Sequence, residues 1–284
     1  TEVEESAPDH AIFATNTSSL SITELSEVTD RPERFCGMHF FNPPVRMPLV
    51  EVIRGDHTGE ETLDFAEAFV ESIDKTPIRV RKDAPGFIVN RVLVPLLNEA
   101  AWIVHEDDAT IAEVDSTAIE QLGLPMGCFE LSDQIGIDVA VDVLDYMHET
   151  LGEEYAPCPL LKEKVDAGVF GKKTGQGFYD WEDGSANIPS DGGREDVATR
   201  LVGIGINEVS KLVAQDVAAP NEINEALKLG ASFPEGPTVM AASLGYDEIH
   251  KTLATIYVES RAGRYEPTSL LAEWDETGGP TGGD

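Results

Sequence analysis

The chain has 284 residues, 41% of them apolar and 26% charged, which predicts roughly two folded domains and excludes wholesale disorder. Its 53 acidic and 20 basic residues give a formal net charge of −33, which excludes nucleic acid and anionic membrane as partners. Three cysteines are too few for a disulfide framework or a zinc site, and no stretch of sequence suggests a membrane span or a signal peptide. We therefore expect a cytoplasmic protein that holds no metal.

The acidic residues are dispersed along the chain rather than gathered in one tail. We interpret this acidity as the adaptation of a halophilic protein to a cytoplasm of high salt content, since salt screens the self-repulsion of a surface rich in carboxylates. The alternative is an acidic protein from a cell of ordinary salt content.

The fold class predicted for residues 1–84 is α/β. A capping box, Ser21-Ile-Thr-Glu24, opens a short helix, and the apolar spacing of Glu61–Ile73 predicts a longer one. The predicted strands are Ala11–Thr15, Arg34–Phe41, Leu49–Arg54 and Pro77–Lys82.

The turn Asp83-Ala-Pro-Gly86 ends this part, and the pattern beyond it is all-α. We expect a helical domain over residues 85–182, a polar linker over 183–193, more helices over 194–274 and a disordered tail over 275–284. The first helix, Phe87–Val104, contains Pro95 and should bend there. Thr110-Ile-Ala-Glu113 is a second capping box, and Phe178–Trp181 could be the end of a strand.

The helical part contains an internal repeat with an offset of 109 residues. We interpret it as a duplicated helical unit. The alternative is two helical bundles that share turn residues. The repeated pairs are Asn98 and Asn207, Pro125 and Pro234, Gly127 and Gly236, Gly136 and Gly245, and Asp138 and Asp247.

Two residues on neighbouring predicted strands stand out for their chemistry. His39 lies near the end of one strand, where ligands bind in open α/β sheets, and Glu51 follows 12 residues later. An imidazole paired with a carboxylate can act as a general base. The alternative is that His39 only caps a strand and that Glu51 is solvated.

The other candidates are weaker. Ser18 could bind a ligand or cap a helix, as could its neighbour Asn16, and Asn42 could bind a cofactor or a turn backbone. Asn90 follows the domain junction, and Lys173 lies in the glycine-rich stretch Gly171–Gly177, which could bind phosphate or be only a loop. A strand followed by Gly-x-Gly-x-x-Gly and a helix, the dinucleotide fingerprint, does not occur in the sequence. Gly203-Ile-Gly begins like one but sits in a helical pattern.

Five motifs, in order and at similar spacing, make the stretch from Ala11 to Trp181 resemble the L-3-hydroxyacyl-CoA dehydrogenases. Residues 194–274 resemble a second copy of that family's helical C-terminal domain. The motifs are Asn16-Thr-Ser-Ser-Leu20, Met38-His-Phe-Phe-Asn-Pro-Pro44, Leu49-Val-Glu-Val-Ile53, Pro85-Gly-Phe-Ile-Val-Asn-Arg91 and Gly171-Lys-Lys-Thr-Gly-Gln-Gly-Phe-Tyr179.

The resemblance implies NAD-dependent oxidation of (3S)-3-hydroxyacyl-CoA to 3-oxoacyl-CoA, as in β-oxidation of fatty acids or 3-hydroxybutyryl-CoA metabolism. It implies that His39 is the catalytic base and that Glu51 orients it. Ser18 would contact the substrate hydroxyl and the cofactor region, and Asn90 would hold the acyl carbonyl. Asn42 and Lys173 would lie against NAD.

The sequence departs from the family because the glycine loop that holds the NAD pyrophosphate is missing. Residues 1–84 are therefore interpreted as a remnant of a Rossmann-like domain. The missing segment would belong to a longer gene product or to another chain. These residues alone would bind NAD poorly and turn over substrate slowly, if at all. The alternatives are a noncatalytic assembly scaffold and a related dehydrogenase of hydroxyacids or sugar acids.

The second copy lacks the Pro-Gly-Phe-Ile-Val-Asn-Arg motif, so it should pack rather than catalyse. In relatives with one copy this domain makes the dimer contact. Pairing of the two copies would then leave the chain monomeric.

Overall fold

The structure, a computed structural model, describes residues 2–280. Its sheet has four strands in the order β1-β2-β3-β4; β1 is parallel to β2, β2 antiparallel to β3, and β3 parallel to β4. The structure places a strand inside each of the four predicted spans or within one residue of it. The strands are β1 (Phe13–Thr15), β2 (Phe35–Phe40), β3 (Leu49–Ile53) and β4 (Thr76–Val80).

The sheet is accompanied by three helices and followed by ten more in the described residues. The sheet part contains α1 (Glu2–Ser6), α2 (Ile22–Ser26) and α3 (Glu60–Ser72). The first helical unit contains α4 (Val89–His105), α5 (Ile111–Ser116), α6 (Cys128–Ile135), α7 (Ile137–Leu151) and α8 (Pro159–Asp166). The second helical unit contains α9 (Glu195–Ala214), α10 (Pro220–Ala231), α11 (Pro237–Leu244), α12 (Tyr246–Ser260) and α13 (Ser269–Thr277).

The two predicted capping boxes differ in the structure. At Thr110 both arms are present, as predicted. Ser21 caps α2 through the backbone N–H of Glu24, but the return arm from Glu24 is not formed, and Asp83 binds the start of the helix instead. The Asp83 carboxylate accepts bonds from Ser21 Oγ at 2.7 Å and from the Thr23 N–H at 2.8 Å, and so ties α2 to the domain junction.

The linker carries neither helix nor strand, but it is hydrogen-bonded to the first helical unit. The N–H of Asp191 donates to Ser116 Oγ at 2.7 Å, and that of Arg194 donates to Thr117 Oγ1 at 2.9 Å. Phe178–Trp181 forms only an isolated bridge, Gln176 to Asp180, so the alternative of a strand end there is wrong.

The predicted disordered tail begins too early. Helix α13 continues to Thr277, and the Asp275 carboxylate lies 2.9 Å from His250 Nδ1 on α12, which holds the last turn in place. The left-handed backbone of Gly278 then ends the helix, with φ of 75°. Residues 281–284 lie outside the described part of the chain.

The offset of 109 residues found in the sequence recurs in the bounds of the helices. Helices α6 and α11 begin and end at positions that differ by this offset, and so do α7 and α12. The caps correspond as well. The side chain of Asp115 accepts a bond from the N–H of Phe129 at the start of α6, and Asn224 accepts one from Thr238 at the start of α11.

The core of the molecule runs from the sheet through both helical units. Helices α4 and α9 lie at its centre and pack against each other, and Pro95 lies inside α4. The predicted bend at Pro95 stays a prediction. Over residues 2–280 no helix combines the length and the apolarity needed to cross a bilayer.

Candidate active site

His39 and Glu51 are brought together by the sheet. They are direct partners in the antiparallel register of β2 and β3, so their side chains lie on the same face. His39 Nδ1 lies 2.7 Å from Glu51 Oε2. His39 is 4% exposed and Glu51 is fully buried. The alternative of a solvated Glu51 is therefore wrong.

The second oxygen of Glu51 is held by the start of α4. Oε1 accepts hydrogen bonds from the backbone N–H groups of Ile88 at 3.0 Å and of Val89 at 2.9 Å. These amides are free because the first N–H groups of a helix have no partner within it. A carboxylate buried here is satisfied by hydrogen bonds and by the positive end of the helix dipole.

The turn before α4 has an unusual backbone that directs these amides. Gly86 and Phe87 both have positive φ, of 79° and 53°. A Cβ on Gly86 would lie 2.2 Å from Met147 Cε and 2.9 Å from Arg91 N, so no other residue fits. Sequence reasoning found this turn as a domain boundary but missed the two amides that hold Glu51. A proline–glycine turn directly before an apolar helix was the available signal.

His39 is oriented so that its second nitrogen is a hydrogen-bond acceptor. A carboxylate only accepts hydrogen bonds, so Glu51 assigns the ring proton to Nδ1. Nε2 then accepts from Ser18 Oγ, 3.1 Å away. Because Ser18 is exposed, this nitrogen faces the rim of the site. The rings of Phe41 and Phe87, centred 4.6 and 5.6 Å from the imidazole, form an apolar wall beside it.

Two more predicted residues lie at this rim. Asn90 Nδ2 is 3.4 Å from the carbonyl oxygen of Ser18, and Asn16 Oδ1 accepts a bond from the Phe40 N–H at 2.9 Å. Ser18 does not cap α2, since Ser21 does. The structure therefore gathers His39 and its two hydrogen-bonding partners with these asparagines at the ends of β1 and β2.

Asn42 and Lys173, both predicted to lie against the cofactor, have different surroundings in the structure. Asn42 is exposed directly after β2, before a cis bond to Pro43, and its side chain has no hydrogen-bond partner in the described residues. Lys173 belongs to a different cluster, because its ammonium group lies 2.5 Å from Asp138 and over the ring of Phe170. No contact of Lys173 within residues 2–280 joins it to His39.

The donor set at the rim fits the nicotinamide end of a dinucleotide. In α/β sheets, ligands bind beyond the carboxyl ends of parallel strands, which is where β1 and β2 end. The exposed Ser18 hydroxyl and the Asn42 amide can bond a carboxamide and a ribose. Gly203, which begins a glycine pattern in the sequence, lies buried within α9 and offers no nucleotide cradle.

Comparisons with known proteins agree with this geometry. The family model described as 3-hydroxyacyl-CoA dehydrogenase, NAD binding domain, matches residues 1–84, and the C-terminal domain model of that family matches residues 86–181 and 197–283. The chain belongs to the 3-hydroxyacyl-CoA dehydrogenase family. The resemblance carried by the five motifs is thereby confirmed. The NAD-binding domain of the family is thus present in residues 1–84, the stretch interpreted from the sequence as its remnant.

The curated relatives match about three fifths of this chain. The chain is 48% identical over 177 residues to a probable 3-hydroxybutyryl-CoA dehydrogenase of Bacillus subtilis, covering 62% of this chain and 61% of the relative. It is 44% identical to the mitochondrial hydroxyacyl-coenzyme A dehydrogenase of Homo sapiens, covering 62% and 56%. The chain thus spans about three fifths of the length of the curated relatives it matches.

One solved structure is similar along almost the whole chain. It is the 3-hydroxybutyryl-CoA dehydrogenase from Escherichia coli K12, with a TM-score of 0.86 and 28% identity, covering 97% of this chain and 77% of that one. The α/β sheet followed by a helical part is therefore a shared fold.

Proposed function

We propose that this chain takes part in the NAD-dependent oxidation of (3S)-3-hydroxyacyl-CoA to 3-oxoacyl-CoA. The observation that carries the proposal is the buried His39–Glu51 pair, whose Nε2 faces the rim of the site and bonds there to the exposed Ser18 hydroxyl. The matches to hydroxyacyl-CoA dehydrogenases along both domains support the same reaction. The substrate is an acyl-CoA, and the reaction belongs to fatty acid or 3-hydroxybutyryl-CoA metabolism.

In the proposed mechanism, His39 Nε2 accepts the proton of the substrate's 3-hydroxyl group. Glu51 stabilises the imidazolium that forms and keeps the ring in one tautomer. Ser18 Oγ, 3.1 Å from Nε2, and Asn90 Nδ2, 3.4 Å from the Ser18 carbonyl, are the donors proposed for the oxygen on which negative charge develops, and Ser18 gives up its bond to the imidazole when substrate binds. NAD supplies the hydride acceptor when it is bound.

The residues proposed to hold NAD are Ser18, Asn42 and Lys173. The free side chain of Asn42 supports its assignment. Lys173 would have to exchange its ion pair with Asp138 for a contact with the cofactor. Of the three it is therefore the least supported by the geometry.

We also propose that the second helical unit arose by duplication of the first and replaces a partner subunit. Two ion pairs support this, because they are related by the same offset and cross between the units in opposite directions. Arg91 of the first unit pairs with Glu208, and Arg200 of the second unit pairs with Glu99. Self-complementary contacts of this kind are typical of twofold interfaces.

A salt-adapted cytoplasm is proposed from the charge of −33. If this is correct, the melting temperature should rise as KCl is increased to molar concentration, because screening lowers the repulsion among carboxylates. Thermal unfolding monitored by circular dichroism over a KCl series measures this. A melting temperature that falls with salt would contradict the proposal.

The substrate is tested by steady-state kinetics. We expect the chain alone to reduce acetoacetyl-CoA with NADH slowly and not to oxidise a sugar acid with NAD. NADH should be raised to high concentration, since the sequence contains no glycine-rich pyrophosphate loop. Turnover of the sugar acid alone, or of neither compound, would contradict the proposal.

A further inference from the structure

A buried ion pair joins the second helical unit to the first turn of α4. Arg91 Nε donates to Glu208 Oε2 at 2.6 Å, and the two residues are 1% and 4% exposed. Arg91 directly follows Asn90 and lies two residues after Val89, whose N–H holds Glu51. The pair is therefore one helical turn from the groups that set the geometry of the active site.

Further hydrogen bonds fix this pair in place. Arg91 Nη2 donates to Tyr155 Oη at 2.8 Å, and Tyr155 donates to Glu208 at 2.9 Å. Lys211 Nζ donates to the other Glu208 oxygen at 2.7 Å. Loss of hydration raises the pKa of Glu208, but Lys211 and Arg91 outweigh it, so the pKa lies below its ordinary value. Removing one partner of such a pair leaves the other charge buried and uncompensated.

The backbone of Arg91 belongs to the turn that positions the Glu51 amides. The N–H of Arg91 donates to the carbonyl of Gly86 at 2.9 Å, which closes the left-handed turn before the helix. The main chain of Arg91 thus holds this turn while its side chain is fixed to α9. Movement of the side chain would be passed to the amides of Ile88 and Val89.

The second unit also touches the other side of this site. A Cβ built on Gly230 of α10 would lie 2.6 Å from Leu49 on β3, 3.1 Å from Val89 and 3.3 Å from Phe41. The ring of Phe41 packs against His39. The second unit therefore supports the His39–Glu51 pair from two directions.

The repeat supplies a matched pair of residues for comparison. Arg200 and Glu99 occupy the positions related to Arg91 and Glu208 by the offset of 109. They are also buried and ion-paired, and Tyr265 bridges them as Tyr155 bridges the first pair. This second pair lies two turns further along α4 and has no contact with the His39 cluster in the described residues.

We propose that Glu208 is a positioning residue for His39 and Glu51, acting through Arg91 and the first turn of α4. The inference rests on the proposed function for its catalytic consequence. Its structural part, that Glu208 fixes the amides that bind Glu51, holds independently of any reaction.

The structural part is tested by amide hydrogen exchange in the full chain, with Glu208→Gln compared to Glu99→Gln. We expect the amides of Ile88 and Val89 to exchange about tenfold faster in Glu208→Gln than in the wild type, when the two proteins are compared under conditions of equal global stability. In Glu99→Gln they should exchange as in the wild type. Equal exchange at these two amides in both variants would overturn the proposal.

The catalytic part is tested by the kinetics of acetoacetyl-CoA reduction in the same two variants. A displaced imidazole lowers kcat, so we expect a loss of about 10- to 100-fold in Glu208→Gln with little change in KM. Glu99→Gln should keep the wild-type kcat. If kcat is unchanged in Glu208→Gln while the wild type is active, the positioning role is wrong.

Two milder variants keep the proposal testable if Glu208→Gln or Glu99→Gln misfolds. Arg91→Lys and Arg200→Lys keep the charges but lose the planar, multiple hydrogen bonding of the guanidinium. The same contrast in exchange and in kcat is expected, in smaller degree, and equal behaviour of the two variants would overturn the proposal. If the wild type turns over no substrate, the proposed function fails while the exchange contrast still decides the positioning of Glu51.

Discussion

The two helical units share helices at a common offset but differ at the start of their first helix. In the first unit a left-handed turn at Gly86 and Phe87 exposes two amides to Glu51. In the second unit the counterparts of these two residues, Glu195 and Asp196, have no positive φ and already form the first turn of α9. The second unit therefore lacks the turn on which the Glu51 contacts of the first unit depend.

The two units also differ at the position three residues after this turn. Asn90 of the first unit reaches the Ser18 carbonyl. Its counterpart in the second unit, Thr199, donates its hydroxyl to the Glu195 carbonyl of the same helix, at 3.0 Å. The second unit contributes packing and ion pairs, and in the described residues none of its side chains bonds to His39 or Glu51.

Among the positions that distinguish the two units, the largest effect is expected when Asn90 and its counterpart Thr199 are each replaced by alanine. Asn90→Ala should lower kcat for acetoacetyl-CoA reduction by about 10²-fold, because it removes a donor near the developing negative charge. Thr199→Ala should leave kcat within about twofold, since its hydroxyl serves only its own helix. Steady-state assays of both variants measure this, and an equal loss in both would remove the functional distinction between the units.

A second prediction concerns the caps, where Asp115 corresponds to Asn224. Burial raises the pKa of Asp115 to about 6, against the hydrogen bonds that it accepts from Phe129 and Tyr179. The folded state therefore binds the proton more tightly than the unfolded chain, and the contribution of Asp115 to stability falls as the pH rises from about 4 to about 6.

Asp115→Asn should remove this dependence. Between about pH 4.5 and about pH 7.5, the free energy of unfolding of the wild type should fall by about 2 kcal/mol relative to that of the variant. Urea unfolding of both proteins at the two pH values measures the difference. Parallel pH profiles would show that Asp115 is not protonated in the folded state. Asn224→Asp makes the opposite substitution, an amide to a carboxylate, at the corresponding cap of the second unit.

A third prediction concerns packing of the second unit on the sheet. Gly230→Ala places a methyl group against Leu49 and should lower the free energy of unfolding by about 1–3 kcal/mol. Gly205→Ala, within α9, has its nearest neighbour at 3.7 Å and should raise it by up to about 1 kcal/mol. Chemical denaturation compares the two, and a neutral Gly230→Ala would show that α10 is not closely packed on β3.

The sequence predicted much of this fold because its signals are local. Apolar alternation and turn residues located the strands, and the spacing of His39 and Glu51 suggested their pairing. The Arg91–Glu208 pair was missed, although both residues share the offset of 109 with Arg200 and Glu99, because ion pairs far apart in sequence leave no periodic signal. The polarity of residues 275–277 was misleading, since contacts with α12 rather than local composition extend the helix.

Replacement of the general base tests the central claim most directly. His39→Gln should lower kcat for acetoacetyl-CoA reduction by about 10²–10⁴-fold, because the proton at the substrate oxygen then has no acid or base to exchange with. NADH affinity, measured by fluorescence titration, should change little. His148→Gln replaces a half-buried histidine that is paired with Glu153. It serves as the matched control and should keep the wild-type rate. Turnover of His39→Gln within a few-fold of the wild type would contradict the account.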